Sequence, residues 1–399
     1  MPFTKLGLKP ELIQALQEIG FHTPTEIQAK TIPLALKQQD IIGLAQTGTG
    51  KTAAFGLPIL NQLLNAPRAA NNTCSALILA PTRELALQIF DNMKSYAKHT
   101  QIRVQCAYGG VKINPQMMKL RSGTEVLIAT PGRLIDLHQQ NAIKLHNVKY
   151  LVLDEADRML DMGFIHSIKQ IVHLLGPQKQ TLLFSATMNS NIRKLALQLM
   201  HKPEEIHTAA VNKTAPTVKH KLYPVDKAKK TSLLCKILLD KQFKQALIFT
   251  KTKHAANKLV KTLYANGIES MAIHGDKTQS QRLKALDFFK NQKIPFLIAT
   301  DIASRGIDIN ELDLVINYEL PQVAEDYVHR IGRTGRAGRA GLAISLVCAD
   351  EFLQLKAIED LLKKTITREE IDDFIPIHNL PISTNPNALK RKRRPKKSS

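Results

Sequence analysis

Residues 45–52 read Ala45-Gln46-Thr47-Gly48-Thr49-Gly50-Lys51-Thr52. It follows the apolar stretch Asp40–Leu44 and precedes residues compatible with a helix. Its glycines let backbone N–H groups wrap a phosphate, and the N-terminus of a helix adds a favourable dipole. Lys51 supplies a charge for the β- and γ-phosphates, and the Thr52 hydroxyl can ligand magnesium. The stretch departs from the phosphate-loop pattern only at Ala45, so it predicts a nucleotide-binding loop between a strand and a helix.

An acidic pair follows a second apolar run about a hundred residues later. Tyr150–Leu153 leads directly into Asp154-Glu155-Ala156-Asp157. The carboxyl end of a parallel strand lies at the crevice where such sheets bind ligands. Asp154 can hold Mg²⁺ there, often through water, and Glu155 can orient and deprotonate an attacking water. Alone, the pair is better explained as a solvated strand end, but together with the phosphate loop it predicts a site that hydrolyses a nucleotide.

Short apolar runs rich in β-branched residues recur along the chain, separated by longer amphipathic stretches such as Arg83–Ala97 and Ser280–Lys290. The alternation predicts an α/β protein with parallel sheets covered by helices on both faces. The first helix should have Pro10 in its first turn and end at Gly20. The apolar runs are Ala76–Ala80, Val126–Thr130, Tyr150–Leu153, Leu182–Phe184, Ala246–Thr250, Phe296–Thr300, Leu314–Asn317 and Ala343–Val347.

A polar break near residues 202–220 divides the alternating pattern. We predict two tandem doubly wound domains at residues 1–207 and 219–366, joined by a linker at 208–218. Residues 367–399 are then a C-terminal extension with a basic tail, because the apolar pattern thins there and Leu389–Ser399 cannot bury a core.

The charge balance favours a polyanionic partner. The chain has 56 Lys and Arg against 34 Asp and Glu, a formal net charge of +22. Residues 390–397 hold seven of these basic side chains, so 22 − 7 leaves +15 for the rest. Nucleic acid and an anionic membrane surface both fit this excess. The tail itself either tethers RNA or is a solvated end, and composition alone also allows a nuclear-localisation signal.

Neither a transmembrane helix nor a secretory signal is expected. No apolar run approaches about 20 residues, and Met1–Lys5 lacks the apolar core of a signal peptide. The cysteines have no paired spacing, so we expect buried free thiols in a reducing cytoplasm and neither a disulfide framework nor a zinc site. They are Cys74, Cys106, Cys235 and Cys348.

At the phosphate loop and at Asp154-Glu155-Ala156-Asp157 the sequence resembles the DEAD-box RNA helicases of superfamily 2. The resemblance extends over about residues 3 to 345. Gly20–Gln28 is similar to the family's Q motif. The resemblance implies two RecA-like domains, with ATP and Mg²⁺ as cofactors. It also implies that Gln28 reads the adenine edge, that Phe3 packs near the base and that Asp308 contacts the ribose. The implied nucleotide-binding residues are Phe3, Phe21, Gln28, Gln46, Thr47, Gly48, Thr49, Gly50, Lys51, Thr52, Gly306 and Asp308.

The same resemblance assigns residues to RNA binding and to coupling. In the first half, the implied RNA contacts are Pro81, Thr82, Arg83, Gly109, Gly110, Thr130, Pro131, Gly132 and Arg133. In the second half they are Thr250, Gln281, Arg282, Thr300 and Asp301. The residues that it implies in coupling hydrolysis to strand separation are Asp157, Ser185, Thr187, His329 and Arg330.

Arg330, Arg333 and Arg336 recur at a spacing of three residues, which places them on one face of a helix or turn. Guanidinium groups aimed at a γ-phosphate would stabilise the charge that develops in phosphoryl transfer, whereas surface cations near a glycine-rich turn explain the spacing equally well when it stands alone. By resemblance, Arg333 and Arg336 are arginine fingers that reach the site when the two domains close.

The predicted activity is RNA-stimulated ATP hydrolysis coupled to local, sequence-independent duplex unwinding or remodelling of RNA–protein complexes. Small hydroxyl side chains, glycines and arginines suit backbone contacts, and aromatic residues are 5% of the chain with no Trp, so extensive base stacking is not expected. A DNA helicase, an ATP-gated RNA clamp and a phosphate-loop kinase or transporter ATPase are the rivals. The overall resemblance, including the stretch Glu369–Pro381, is strongest to RhlE-like bacterial members, which favours the cytoplasm and leaves association with the ribosome or the RNA-degradation machinery open.

Overall fold

The chain forms two separate parallel sheets. A computed structural model describes residues 2–45, 48–208, 218–239, 243–304, 309, 312–335 and 341–381. The chain divides into two units, Met1–Asn212 and Lys213–Ser399, and each contains one seven-stranded sheet. The predicted α/β class with two tandem doubly wound domains is therefore confirmed.

The first unit has the strand order β3-β4-β2-β5-β6-β1-β7. Its strands are β1 (Ile41–Leu44), β2 (Cys74–Leu79), β3 (Val104–Ala107), β4 (Thr124–Ala129), β5 (Tyr150–Leu153), β6 (Gln180–Ser185) and β7 (Glu204–His207). Its helices are α1 (Pro10–Glu18), α2 (Glu26–Leu36), α3 (Lys51–Leu63), α4 (Arg83–Tyr96), α5 (Asn114–Leu120), α6 (Pro131–Gln139), α7 (Ala156–Asp161), α8 (Ile165–His173) and α9 (Ser190–Leu199). Successive strand residues face opposite sides, so Val152 joins one apolar core and Leu151 the other.

The second unit repeats this topology. Its strands are β8 (Val218–Pro224), β9 (Ala246–Thr250), β10 (Ser270–Ile273), β11 (Phe296–Thr300), β12 (Leu314–Asn317), β13 (Gly341–Val347) and β14 (Thr367–Arg368). The order β10-β11-β9-β12-β13-β8-β14 matches that of the first sheet strand for strand. Its helices are α10 (Lys230–Leu239), α11 (Lys253–Ala265), α12 (Gln279–Lys290), α13 (Asp301–Ser304), α14 (Ala324–Ile331) and α15 (Phe352–Leu362).

All strand pairs in both sheets are parallel, so the carboxyl ends of the strands share one edge in each unit. Each of the eight predicted apolar runs lies in or overlaps one of these strands. Pro10 is the first residue of α1, where a missing N–H costs nothing, and Gly20 follows the helix with φ 77°. The predicted helices at Arg83–Ala97 and Ser280–Lys290 are α4 and α12.

The polar break near residues 202–220 contains strand residues at both of its ends. Strand β7 pairs with β1 and strand β8 pairs with β13, so ordered sheet enters the break from both sides. Val218, placed at the end of the predicted linker, is the first residue of β8. Both strands carry polar, half-exposed side chains because they lie near sheet edges, which is why their sequence resembles a linker. Residues 209–217 lie outside the described part of the chain.

The C-terminal extension is also partly folded. Strand β14 extends the second sheet beside β8, and Glu369 accepts hydrogen bonds from Lys221 and Tyr223. Further along, Asp226 accepts the backbone N–H of Ile377. Residues 367–381 therefore belong to the second folded unit, and the boundary predicted at residue 366 falls inside it. The basic tail lies outside the described residues.

The cysteines agree with the sequence expectation in most respects. All four are free thiols, and Cys74, Cys235 and Cys348 are buried, whereas Cys106 is half-buried. Burial raises the pKa of the Cys74 thiol to about 12. Among the described residues, no helix is long and apolar enough to cross a membrane, and no group of three potential metal ligands is found.

Candidate active site and nucleic-acid interface

The phosphate loop follows β1 and ends at the first residue of α3. Gly48 and Gly50 have φ of 83° and 89°, the left-handed region that glycine enters without strain. A Cβ on Gly50 would lie 2.3 Å from Nε2 of Gln28, so no larger residue fits there. The loop therefore keeps the close backbone approach that phosphate binding requires, in the strand–loop–helix setting predicted from the sequence. Gln46 and Thr47 lie outside the described residues.

A buried lysine and a buried carboxylate face each other beside this loop. Lys51 is 6% exposed, and no described residue provides a hydrogen-bond partner for its Nζ, which lies 4.0 Å from Oδ1 of Asp154. Burial, together with the charges of Glu155 and Asp157, raises the pKa of Asp154 to about 6, against the opposing charge of Lys51. The half-buried Thr52 is the next residue of α3. Both charges are thus short of polar partners, which is what a site for a phosphate and a cation requires.

Glu155 is held in an unusual backbone conformation at the start of α7. Its φ of 53° and ψ of 51° are left-handed, a state that costs a non-glycine residue about 1–3 kcal/mol. Its Oε2 accepts a hydrogen bond of 2.7 Å from Nη1 of Arg158, and both side chains are 4% exposed. Its Oε1 has no partner among the described residues. Arg158 was not among the predicted site residues, although its position three residues after Glu155 on a helix could have indicated the contact.

Asp157 links the acidic tetrapeptide to the end of β6. Its Oδ2 accepts the backbone N–H groups of Ala186 and Thr187 at 3.0 and 3.1 Å, and the Thr187 hydroxyl at 3.2 Å. Ser185 donates its hydroxyl to the carbonyl of Thr187 at 2.8 Å. The structure therefore brings together the first-unit residues that were predicted to couple hydrolysis to strand separation, Asp157, Ser185 and Thr187.

The predicted adenine-binding residues occupy different environments. Gln28 is 2% exposed; its Oε1 accepts the N–H of Thr25 at 2.8 Å, and its Nε2 donates to the carbonyl of Gly50 at 3.1 Å. An amide has two donor hydrogens and two acceptor lone pairs, so one of each is left. Phe21 is exposed beside Tyr96. Phe3 is 3% exposed and packs within the apolar core of the first unit.

The predicted first-unit RNA residues lie after three neighbouring strands. Pro81, Thr82 and Arg83 follow β2, Gly109 and Gly110 follow β3, and Thr130, Pro131, Gly132 and Arg133 follow β4. A Cβ on Gly110 would lie 1.9 Å from Nη1 of Arg83, so the first two segments are in contact. The carboxyl ends of β3, β4 and β2 thus form one edge beside the nucleotide site.

Arg133, which the resemblance assigned to RNA contact, forms hydrogen bonds within the first unit. Its side chain is buried, and its Nη1 and Nη2 donate to Oε1 of Gln116 at 3.1 Å and to the carbonyl of Val111 at 2.9 Å. The guanidinium group is thereby used to hold the loop after β3. Two of the nitrogens of the Arg133 guanidinium are therefore engaged inside the protein.

Arg330 of α14 is likewise engaged within the second unit. Its Nε and Nη2 donate to the two carboxylate oxygens of Asp301 at 2.6 and 2.7 Å. Its Nη1 donates to Asn317 and to the carbonyl of Glu319, and the guanidinium stacks 4.9 Å from the centre of the Phe249 ring. At 2% exposure this is a bidentate, satisfied pair. Arg330 and Asp301 therefore fix each other after β11.

The remaining predicted residues of the second unit are placed as follows. Thr250 and Thr300 are buried at the ends of β9 and β11. Gln281 is exposed in the first turn of α12, where it forms a capping box with Thr278. Arg282 donates to the carbonyl of Ala303, His329 lies in α14, and Arg333 is buried in the turn that follows. Gly306, Asp308 and Arg336 lie outside the described residues.

Comparisons with known proteins agree with this arrangement. Residues 25–195 match the family model of DEAD/DEAH box helicases, and residues 229–338 match that of the helicase conserved C-terminal domain. The chain is 43% identical over 364 residues to the DEAD-box ATP-dependent RNA helicase CshA of Streptococcus pneumoniae, covering 91% of this chain and 69% of that protein. It is 40% identical over 379 residues to RhpA of Helicobacter pylori, covering 95% and 74% of the two chains.

A solved structure shares the fold of both units. The structure of S. cerevisiae Dbp5 bound to RNA and ADP BeF3 has a TM-score of 0.84 and 32% sequence identity, and the match covers 93% of this chain and 96% of that one. The two sheets are thus tandem RecA-like domains, as the resemblance implied. With both family models in order along the chain and relatives above 40% identity over most of their length, the chain belongs to the DEAD-box family of ATP-dependent RNA helicases.

Proposed function

We propose that this helicase hydrolyses ATP at the edge of the first sheet, with Lys51, Thr52, Asp154 and Glu155 as the reacting set. The observation that carries the proposal is the buried Nζ of Lys51, which has no hydrogen-bond partner among the described residues. A buried ammonium group without an acceptor is costly, and a triphosphate supplies anionic oxygens at that place. The left-handed glycines of the loop allow a phosphate to approach the backbone.

Thr52 and Asp154 would hold Mg²⁺. The raised pKa of Asp154 supports this assignment, because a buried carboxylate with too little compensating charge is a good ligand for a hard cation. When bound, the ion supplies charge that neutralises the phosphates. Glu155 holds its proton-accepting Oε1 free of described partners while Arg158 anchors Oε2, so one oxygen is fixed and the other can accept a proton from water.

We assign RNA binding to the strand ends remote from the phosphate loop in the first sheet and to β9 and β11 in the second. Backbone N–H groups, hydroxyls and the Arg83 guanidinium suit phosphate and sugar contacts without base readout. Arg133 and Arg330 act indirectly in this assignment, since their donors are engaged inside the protein. Thr82 adds a positioning contact, because its hydroxyl accepts the N–H of Leu85 and caps α4.

Coupling is proposed to pass through Asp157, which ties the catalytic tetrapeptide to Ser185 and Thr187. His329 and Arg330 belong to the same proposed coupling set. Arg333 and Arg336, with Gly306 and Asp308, are proposed to act on the nucleotide when the two units come together during the cycle. The expected outcome is local strand separation or remodelling of RNA–protein complexes.

Four finer assignments are proposed from the sequence. The RhlE-like subgroup is proposed from the overall resemblance, including Glu369–Pro381, although the relatives described above carry the names CshA and RhpA. A cytoplasmic location and association with the ribosome or the RNA-degradation machinery are proposed with it. The basic tail is proposed as an RNA tether, for which each neutralised phosphate should steepen the log–log salt dependence by about 0.7.

The choice of nucleic acid tests the proposed function directly. ATP hydrolysis should be measured with single-stranded RNA and with DNA of the same sequence and length, using Lys51→Ala as the inactive control. We expect RNA, but not DNA, to stimulate ATP hydrolysis by the wild type, and neither to stimulate Lys51→Ala. Equal stimulation by DNA would indicate a DNA translocase, and slow release from RNA without duplex separation would indicate a clamp.

A further inference from the structure

The second unit contains a counterpart of the nucleotide site. The two sheets share one strand order, so β8 corresponds to β1, β12 to β5 and β13 to β6. Helix α10 begins with Lys230-Thr231 after β8, as α3 begins with Lys51-Thr52 after β1. A cleft of about 380 Å³ opens at this position, lined by residues that include Lys230, Thr231 and Tyr318. The second unit therefore has a lysine and a threonine where the first unit has its phosphate-binding pair.

The two lysines differ in what they contact. Lys51 has no hydrogen-bond partner among the described residues for its Nζ. Lys230 is as buried, at 3% exposure, but its Nζ donates to Oε2 of Glu351 and to the carbonyl of Tyr318. The place that is open to an anion in the first unit is thus filled by a carboxylate of the chain itself in the second.

The Glu351 carboxylate contacts residues that follow three strands, β12, β13 and β9. Its Oε1 accepts the N–H of Leu320 after β12 at 3.0 Å, and its Oε2 accepts the N–H of Cys348 after β13 at 3.2 Å. Nζ of Lys251, the residue after β9, lies 3.6 Å from Oε1. Burial alone would raise the pKa of Glu351, but the charge of Lys230 and the hydrogen bonds lower it overall. The carboxylate is therefore ionised and shared among backbone N–H groups and lysines, as a bound phosphate would be.

We propose that Glu351 is a built-in substitute for a phosphate and acts as a positioning residue for RNA binding by the second unit. Glu351 and Glu319 together fix Lys251, because Glu319 accepts the backbone N–H of Lys251 at 2.7 Å. The carbonyl of Glu319 in turn accepts Nη1 of Arg330, which pairs with Asp301. Glu351 thus stabilises the end of β9, where Thr250 lies, and the segment after β11, which begins with Asp301. This inference rests on the proposed RNA contacts of those segments.

The test compares the full-length wild type with Glu351→Gln, Glu351→Ala and the control Glu359→Ala. Glu359 is an equally buried carboxylate of the same unit that accepts the N–H of Ile366. The RNA concentration giving half-maximal ATPase stimulation should rise about tenfold in Glu351→Ala, the equilibrium effect of losing one hydrogen bond to a charged group. Glu351→Gln keeps the shape of the side chain without its charge, so its half-saturating RNA concentration should lie between those of the wild type and Glu351→Ala. In both variants, kcat at saturating RNA and the half-saturating ATP concentration should be nearly unchanged.

Chemical rescue provides a readout that a purely structural role would not give. Formate replacing chloride at constant ionic strength should raise the thermal midpoint of Glu351→Ala and lower its half-saturating RNA concentration, because a small carboxylate can occupy the emptied place. Glu359→Ala and the wild type should not respond. An unchanged half-saturating RNA concentration in both Glu351 variants, or an equal formate response in Glu359→Ala, would overturn the inference. A wild type that RNA fails to stimulate would instead overturn the proposed function.

Discussion

Replacement of Glu155 by glutamine tests whether this side chain is the general base of the acidic tetrapeptide. The wild-type side chain uses Oε2 to bind Arg158 at 2.7 Å and leaves Oε1 without a described partner. Glutamine has nearly the same shape and retains an acceptor for Arg158, but it cannot accept the proton of an attacking water. Glu155→Gln should therefore bind ATP and RNA and hydrolyse ATP poorly.

Glu155→Gln should lower both the kcat of ATP hydrolysis and the free energy of unfolding. A positioned general base contributes about 10²–10⁴-fold, so the RNA-stimulated kcat should fall by that factor, or about 3–5 kcal/mol in the barrier. Arg158 and Glu155 are both 4% exposed, so solvent screens their pairing little. Loss of one charge from this hydrogen bond should lower the free energy of unfolding by about 1–3 kcal/mol.

Steady-state ATPase assays at saturating RNA give kcat, equilibrium titrations give the ATP and RNA affinities, and denaturant unfolding gives stability. The double variant Glu155→Gln/Arg158→Met is the control, because replacing both partners of a buried pair removes the unpaired charge. It should recover stability and remain unable to hydrolyse ATP. An RNA-stimulated kcat of Glu155→Gln equal to that of the wild type would refute the assignment of the base.

Three further variants test the site. Gly50→Ala should weaken ATP binding at least about tenfold in nucleotide titrations, because its Cβ would meet Nε2 of Gln28 at 2.3 Å; Gly163→Ala, with a similar φ of 79° and open space, should not. Asp157→Ala removes the side-chain acceptor of the Ala186 N–H and one of the two acceptors of the Thr187 N–H, so it should lower stability by about 1–3 kcal/mol and reduce duplex separation more than ATP hydrolysis. The folded-state pKa of Asp154 is raised to about 6, so the cost of burying its charge is full above pH 6 and disappears as the pH falls towards 4. The unfolding free energy of ligand-free Asp154→Asn minus that of the wild type should therefore grow from pH 4 to pH 7, by an amount on the order of 1–3 kcal/mol.

Each of these expectations has a contrary result. Equal ATP affinities for the two glycine variants would show that the steric contact with Gln28 is unimportant. Parallel losses of hydrolysis and duplex separation in Asp157→Ala would remove its coupling role. A stability difference that does not change with pH would show that Asp154 titrates normally.

Buried strands were predictable from sequence, and edge strands were not. Tyr150–Leu153 and Leu314–Asn317 lie in the middle of their sheets with both faces covered, so a continuous apolar run marks them. Glu204–His207 is an edge strand with three exposed residues, and its polar sequence resembles a linker. The two-residue β14 carries no detectable pattern, because its register is set by pairing with β8.

The candidate site shows the same division. The phosphate loop and the acidic pair were predictable because their chemistry depends on residues adjacent in sequence. The engagement of Arg133 by Val111 and that of Arg330 by Asp301 depend on residues 22 and 29 positions away, which no local pattern reveals. The burial of Phe3 likewise follows from packing in the first-unit core.

The central claim is that ATP hydrolysis at Lys51, Asp154 and Glu155 drives separation of RNA strands. Its most direct test measures duplex separation and phosphate release together, on a short RNA duplex with a single-stranded extension, for the wild type and Lys51→Ala. We expect strand separation by the wild type only when ATP is present, and neither strand separation nor phosphate release by Lys51→Ala. Strand separation by Lys51→Ala at the wild-type rate, or ATP hydrolysis by the wild type without any strand separation, would contradict it.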